Sequence, residues 1–455
     1  MTVNLAAELL HHDLPDTAAA LTSPQLSLSR GELRQWVAGH RAELVAAGVG
    51  PGSTVAIQVA PSFNYLAVVL AGLQLDSRLL LLHHRLAEAE FAELVDPLRP
   101  AATVRSLDGA AISRFVPRRE VLVQPRPDAD RSGPGAAIVQ FSSGSTGRPK
   151  IIQRGEQSIC RELAALERLP GWVSGADTLL TLNSLVHSFG LFGALFHGLR
   201  VGATVALPSS ALPRELSQAL DGLRPTAITG VPAHFELLAA LPVGALAGVH
   251  TCVSGGQLVR PAAQRAFVAR QGCQLGQVYG LTEAGLVAAD ITGEFAPAMG
   301  RPLHPGSVTV VAGEVVLEQP ELPYLGAGDP ARWRAGQLYT GDRGRLDGEV
   351  LSVTGRSDSL VAIGGLKLDL AEIERLIGAA PGVREVVVLV REQHLEAFVE
   401  ADEQTADTLR DWCRDRLSAH KQPRRIVVHR QLPRTLTGKA VRGAELLRLL
   451  EAAAT

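Results

Sequence analysis

The chain has 455 residues, 46% of them hydrophobic and 20% charged. That is enough to bury a sizeable core but more than one core usually supports, so two or three domains are expected. Its 44 basic residues nearly cancel 46 acidic ones, which excludes a global field drawing it to nucleic acid or to an anionic membrane; its partners should be small or local.

The four cysteines, Cys160, Cys252, Cys273 and Cys413, are separated in sequence, with no CxxC pair and no spacing that would cage a metal. A reducing, cytoplasmic location is the expectation. His11, His12, Asp13 and Asp16 stand where a secretory peptide would need a basic start followed by an apolar run.

In chain order, residues 33–47 read as a helix and 53–59 as a strand. The apolar stretch 65–82 is interrupted by Asp76 and Arg78, falls short of a bilayer span, and reads as a buried helix followed by a strand. Residues 136–141 form a strand pattern, 156–169 a helix, and 178–182 and 203–207 further strands. This alternation predicts parallel α/β layers. From Gly306 the runs shorten to 308–311, 314–317 and 350–353, with Gly- and Asp-rich turns, as in a small antiparallel region. Beyond Asp358 a helix (370–377), a strand (385–390), a helix (406–417) and a strand (425–429) predict a separate α+β domain, with the boundary at 357/358.

The strongest local signal is Phe141-Ser142-Ser143-Gly144-Ser145-Thr146-Gly147-Arg148-Pro149-Lys150, directly after a strand pattern. Its small residues leave backbone amides and hydroxyls free to wrap a phosphate chain, with the charge of Lys150 at its end. The Walker spacing is absent. A Gly/Ser connector is the structural alternative for this segment taken alone.

Ser142 to Lys150 resembles the phosphate loop of the adenylate-forming superfamily, which includes acyl- and aryl-CoA ligases, luciferases and peptide-synthetase adenylation domains. Four further blocks match in order: Tyr279-Gly280-Leu281-Thr282-Glu283, Thr340-Gly341-Asp342, Gly355-Arg356-Ser357-Asp358 and Pro433 to Lys439. The resemblance spans most of the chain. It implies an α/β fold with a large multi-layer N-terminal domain (1–357) of parallel sheets plus the antiparallel region, followed by a small mobile α+β C-terminal domain (358–455) carrying a catalytic lysine.

The resemblance also implies roles. ATP would be bound by Ser142, Ser143, Gly144, Ser145, Thr146, Gly147, Lys150, Tyr279, Gly280, Thr282, Asp342 and Arg356. Lys439 would reach both the acid carboxylate and the α-phosphate, where two anions must be brought together. Glu283 is a hard oxygen ligand suited to Mg²⁺, with Thr146 as helper; a carboxylate at a helix start is its alternative use. Tyr279 would stack on adenine, and Asp342, held in a turn, would accept from the ribose hydroxyls. Arg356 would touch ribose or phosphate or form a surface ion pair. Asp358 matches the hinge, and Gly364 and Gly365 would let a pantetheine arm pass.

For the acid, Leu185-Val186-His187-Ser188-Phe189-Gly190-Leu191 resembles the block holding the pocket histidine of aryl- and acyl-CoA ligases, and a long apolar helix pattern follows it. No aspartate that would pair with an α-amino group occurs between Leu182 and Phe192, which argues against an ordinary amino acid. Phe235, Ser254, Gly255 and Gly256 complete the expected pocket, the glycines leaving room for a flat ring or chain, with core packing the alternative for Phe235. Two departures lie in the region rearranged for thioester formation: Ala362 stands where a basic residue is common and Lys367 where arginine is usual. The expected reaction is ATP-dependent activation of an aryl or acyl acid to acyl-AMP with release of pyrophosphate, then thioester formation with coenzyme A; the alternatives are the phosphopantetheine of a carrier protein, which Arg414, Arg416, Arg424 and Arg425 would meet unless they only solvate the surface, or an amine.

Overall fold

The computed structural model describes residues 4–10, 13–86, 88–107, 115–131, 133, 135–142, 150–326, 331–356, 360–363, 366–391, 394–402, 404–417, 421–435 and 438–453. The chain divides into two compact units. The larger comprises Met1–Thr309, Val316–Leu338 and Leu346–Ser352; the smaller comprises Val310–Val315, Tyr339–Arg345 and Val353–Thr455.

The larger unit holds two sheets. One has six strands in the order Val121–Pro125, Ala102–Ser106, Thr54–Gln58, Arg78–Leu81, Ala137–Ser142 and Lys150–Gly155. Its four central strands are parallel and its two outer strands antiparallel. Thr54, Val55, Ala56 and Ile57 are all buried, as expected for a parallel strand covered on both faces. The helix Phe63–Gln74 is apolar on every side and buried along nearly its whole length. It therefore lies inside the unit rather than on its surface. Ser62 starts it, its Oγ accepting from Tyr65 N at 3.1 Å.

The other sheet has nine strands, ordered Arg301–Pro302, Gly285–Asp290, Gly276–Leu281, Thr251–Ser254, Ala227–Gly230, Thr178–Thr181, Thr204–Ala206, Ala19–Thr22 and Ser27–Ser29. The run from Gly276–Leu281 to Ala19–Thr22 is parallel throughout. The predicted helix at 33–47 begins three residues earlier, as Arg30–Ala46. Ser29 and Glu32 close a capping box, with Glu32 N donating to Ser29 Oγ at 3.2 Å and Ser29 N to the Glu32 carboxylate at 2.8 Å. Cys252 and Cys273, distant in sequence, bring their free thiols to 3.9 Å.

The strands Val308–Val311, Glu314–Glu318, Trp333–Arg334, Gln337–Asp347 and Val350–Arg356 make up the antiparallel region, and their residues are shared between the two units. In the smaller unit, Val383–Arg391 pairs antiparallel with His394–Ala401, which pairs parallel with Arg425–His429. Successive residues of a strand face opposite ways. Ala397 and Val399 therefore join one core with Ile373, Ile377 and Leu409, while Phe398 joins another with Leu432, Val441 and Leu446. The helices Leu370–Gly378 and Ala406–Arg416 supply the first core and Gly443–Ala453 the second. No helix among the described residues is long and apolar enough to cross a membrane.

Candidate active site

The strands Ala137–Ser142 and Lys150–Gly155 form an antiparallel pair whose last register match is Ser142 with Lys150. This brings together the two ends of the segment proposed to wrap phosphate. Ser143, Gly144, Ser145, Thr146 and Gly147 lie outside the described residues, as do Asp358, Gly364 and Gly365. Lys150 Nζ lies 5.8 Å from the centre of the Tyr324 ring.

Glu283 sits in the tight turn between Gly276–Leu281 and Gly285–Asp290, not at a helix start. The hairpin forms because backbone meets backbone there. A Cβ on Gly280 would fall 2.5 Å from Gly285 O, and Gly285 itself has φ of +80°, a region glycine enters without strain. The Glu283 residue is 7% exposed and its Oε1 accepts from the Tyr324 phenol at 3.2 Å. Burial, and next the negative charge of Glu283, pushes that phenol up to about 12. Among the described residues no cation pairs with Glu283. A buried carboxylate without a cationic partner is poorly solvated, and a hard divalent cation that draws its other ligands from phosphate and water fits it. Tyr279, buried, and Thr282 lie on the same hairpin.

Tyr324 is held by the exit strand of the phosphate segment. Gln153 N donates to Pro323 O at 2.8 Å, Leu325 N donates to Ile151 O at 2.9 Å, and Ile152 bridges Tyr324. Lys150 and the partner of Glu283 therefore share one support.

The residues expected to form an acid pocket gather at the carboxyl ends of the parallel strands, where open α/β sheets place their ligands. His187 precedes a helix of π type, Phe189–Phe196, which continues as His197–Val201. Gln140, on the strand leading to Ser142, fixes this segment: its Nε2 donates to Val186 O at 2.6 Å and its Oε1 accepts from Ser188 Oγ at 2.7 Å. Sequence reasoning passed over Gln140, although a glutamine inside the run Ala137-Ile138-Val139-Gln140-Phe141 was the available signal.

The space over Gly255 is filled by protein. A Cβ there would lie 2.7 Å from two ring carbons of Phe189 and 2.9 Å from Val278, whereas Gly256, at φ +81°, meets nothing nearer than 3.9 Å. Space for an added carbon is thus found at Gly256 and not at Gly255. Phe235 is 2% exposed and packs edge-on against Phe267 at 5.4 Å, the core role. Ser254 Oγ and Thr229 Oγ1 are buried hydroxyls with no hydrogen-bond partner among the described residues. Neighbouring His234 is pushed down to about 4 by burial and is neutral near pH 7.

In the smaller unit Asp342 is not in a turn but within the strand Gln337–Asp347. Gly341 kinks that strand with φ of +72°. Thr340 Oγ1 donates to Val315 O at 2.7 Å and accepts from Asp342 N at 3.0 Å, while Gly341 N donates to the Glu314 carboxylate at 2.7 Å. Arg356 pairs with Asp342 at 3.2 Å. Lys439 follows a turn in which Gly438, at φ +83°, donates to Thr435 O at 2.9 Å. Although the side chain is exposed overall, its ammonium is held below the ordinary lysine range. Displacement of water by surrounding protein acts most strongly, then the cations Arg356 and Arg442, with Asp342 opposing them.

A residue missed in the sequence anchors this turn. Glu400, buried, accepts from Leu432 N and Arg434 Nη2, each at 2.9 Å, and Arg434 Nη1 donates to Gly438 O at 3.1 Å.

The family model described as AMP-binding enzyme matches residues 12–341, and that of the AMP-binding enzyme C-terminal domain matches 372–439. The chain belongs to the AMP-binding enzyme family, and as such is a ligase. Among its relatives are indoleacetate–CoA ligase of Aromatoleum aromaticum (strain DSM 19018 / LMG 30748 / EbN1), 26% identical over 94% of each chain, and long-chain-fatty-acid–CoA ligase of Bacillus subtilis (strain 168). The latter is also 26% identical, over 71% of this chain and 63% of that protein, so the chain spans somewhat less than two thirds of its length. In fold the chain is similar to a crystal structure of the anthranilate CoA ligase AuaEII in complex with anthranoyl-AMP. The TM-score is 0.83 at 20% identity, covering 99% of this chain and 97% of that one.

Proposed function

We propose that the protein activates a carboxylic acid with ATP, forming an acyl-adenylate and releasing pyrophosphate, and then passes the acyl group to the thiol of coenzyme A. The observation that carries this reading is the buried Glu283, paired with no cation among the described residues and held through Tyr324 by the strand that begins at Lys150. A carboxylate placed there invites a divalent cation beside a phosphate chain.

In the first step an oxygen of the acid bonds to the α-phosphorus and the bond to the pyrophosphate oxygen breaks. Both reactants are anions, so positioning and neutralisation carry the rate. Lys150 and the segment 143–149 hold the phosphates, Tyr279 the adenine and Asp342 the ribose hydroxyls, displacing Arg356 from its present pairing. Lys439 bridges the carboxylate and the α-phosphate. Glu283, with Thr146, would hold Mg²⁺, which would supply charge neutralisation at the phosphates. In the second step the thiol sulfur bonds to the acyl carbon and AMP leaves, with Asp358 as hinge and Gly364 and Gly365 lining the path of the pantetheine arm.

The acid is an aryl or acyl acid rather than an ordinary α-amino acid. The absence of an aspartate between Leu182 and Phe192 and the apolar Phe189 beside Gly255 support this. Phosphopantetheine on a carrier protein is the second reading for the acceptor, supported by the basic Arg414, Arg416, Arg424 and Arg425, which suit an acidic carrier. An amine is the third.

The test is acid-dependent exchange of labelled pyrophosphate into ATP across aryl, fatty and amino acids, with Lys439→Ala alongside. Exchange that requires one class of acid and collapses in the variant supports the reading. Silence with every acid removes it. Product analysis with coenzyme A, holo carrier or an amine then separates the acceptors.

A further inference from the structure

Arg154 and Glu162 form an ion pair at 2.5 Å with both side chains only 3% exposed. An isolated pair at that depth is weak evidence of stabilisation, because desolvation offsets the attraction. Its other contacts indicate what it holds. Glu162 Oε1 accepts from Leu286 N at 2.9 Å, three residues beyond Glu283. A Cβ on the intervening Gly285 would fall 2.2 Å from Glu162 Oε2 and 2.3 Å from Arg154 Nη1, so the Glu283 turn lies directly on the pair. Arg154 is itself fixed by Ser158 Oγ at 2.9 Å and Ser158 O at 3.1 Å, and its guanidinium lies 5.2 Å from the Phe192 ring centre.

Arg154 belongs to the strand Lys150–Gly155, whose Ile151, Ile152 and Gln153 hold Tyr324. The Glu283 hairpin is thus tied twice to one strand, through Tyr324 on the Glu283 carboxylate and through Arg154 and Glu162 on the backbone of Leu286. We propose that Arg154 and Glu162 are positioning residues which aim Glu283 at the cation accompanying ATP and keep it in register with Lys150. The inference rests on the metal role of Glu283 proposed above.

The experiment measures binding of Mn²⁺ in the presence of ATP by electron paramagnetic resonance, with thermal unfolding in parallel, for wild type and three variants. Arg154→Met/Glu162→Met removes both charges and the contact to Leu286, leaving no orphaned ion. It should unfold near the wild-type temperature yet bind Mn²⁺ about ten-fold more weakly, as loss of an outer-shell support does. Arg154→Met/Glu162→Gln restores an oxygen for Leu286 N and should recover most of that affinity. A folded Met/Met variant binding Mn²⁺ like wild type would overturn the proposal. So would Met/Gln remaining as weak as Met/Met, since the Leu286 contact would then be irrelevant. Glu283→Gln distinguishes the underlying premise: wild-type Mn²⁺ binding in that variant would show that the metal assignment itself had failed, and the positioning role with it.

Discussion

Gly255→Ala tests how tightly the floor of the proposed acid pocket is packed. The new methyl carbon would stand 2.7 Å from Phe189 Cδ1 and Cε1 and 2.9 Å from Val278 Cγ2. Comfortable carbon contacts begin near ~3.5 Å, so the ring would have to retreat by roughly 0.8 Å. It has little freedom to do so. The position of a Cβ on Gly193 is 2.7 Å from the ring's Cδ2 and 3.1 Å from Leu286, so the ring is wedged between two glycines. Overpacking of this kind destabilises by about 1–3 kcal/mol. Phe189→Ala should cost about 3 kcal/mol, the lower end for loss of a phenyl ring, because Phe189 is only partly buried. The double variant should cost about 1–3 kcal/mol less than the sum, since the clash vanishes with the ring. Urea unfolding followed by tryptophan fluorescence reports it, with Trp172 6.4 Å from the ring serving as a local probe. Additivity within about 0.5 kcal/mol would refute the wedge and leave Gly255 as open space.

Lys439→Ala should lower pyrophosphate exchange by about 100-fold or more while ATP still binds, because a charge acting in the transition state is removed; equal losses of binding and exchange would contradict that role. The Lys439 ammonium titrates below the ordinary lysine range, with Arg442 among the causes. Activity that needs the protonated amine should therefore fall as pH rises through this lowered value. Arg442→Gln removes a neighbouring cation, raises the value and should move the alkaline limb to higher pH; an unmoved limb in the exchange profile would exclude the assignment. Ser29→Ala removes the cap of the helix Arg30–Ala46 and should cost about 1 kcal/mol in urea unfolding, with exchange kinetics unchanged in the folded enzyme.

The motif blocks and the alternation of strands and helices could be read from the sequence because both are local. Small residues, a lysine and a strand in succession describe a phosphate loop wherever the chain later goes. The supports were invisible because they are remote: Glu162 precedes Leu286 by 124 positions, and Glu400 precedes Arg434 by 34. No periodicity links such pairs. Asp342 read as a turn residue because Gly341 precedes it, yet side-chain and backbone bonds from Thr340 and Gly341 accommodate that glycine as a kink within a long strand. A helix start is the alternative to the metal role for Glu283 in the sequence, because threonine and glutamate suit one; the close approach of Gly280 and Gly285 makes a hairpin instead. The two glycines after Ser254 look alike in sequence, and only the fold brings Phe189 over the first.

The parallel course of the strands from Gly276–Leu281 to Thr178–Thr181 sends the connections after Leu281, Ser254, Gly230 and Thr181 out along a single margin of the sheet. The connections after Ser254, Gly230 and Thr181 can vary more freely than the paired strands behind them, whereas the tight turn after Leu281 is fixed by Gly280, Gly285 and Glu162. On the proposed reading of the pocket, exchanging 182–187 or 256–260 for the matching segments of another family member is the economical route to a different acid.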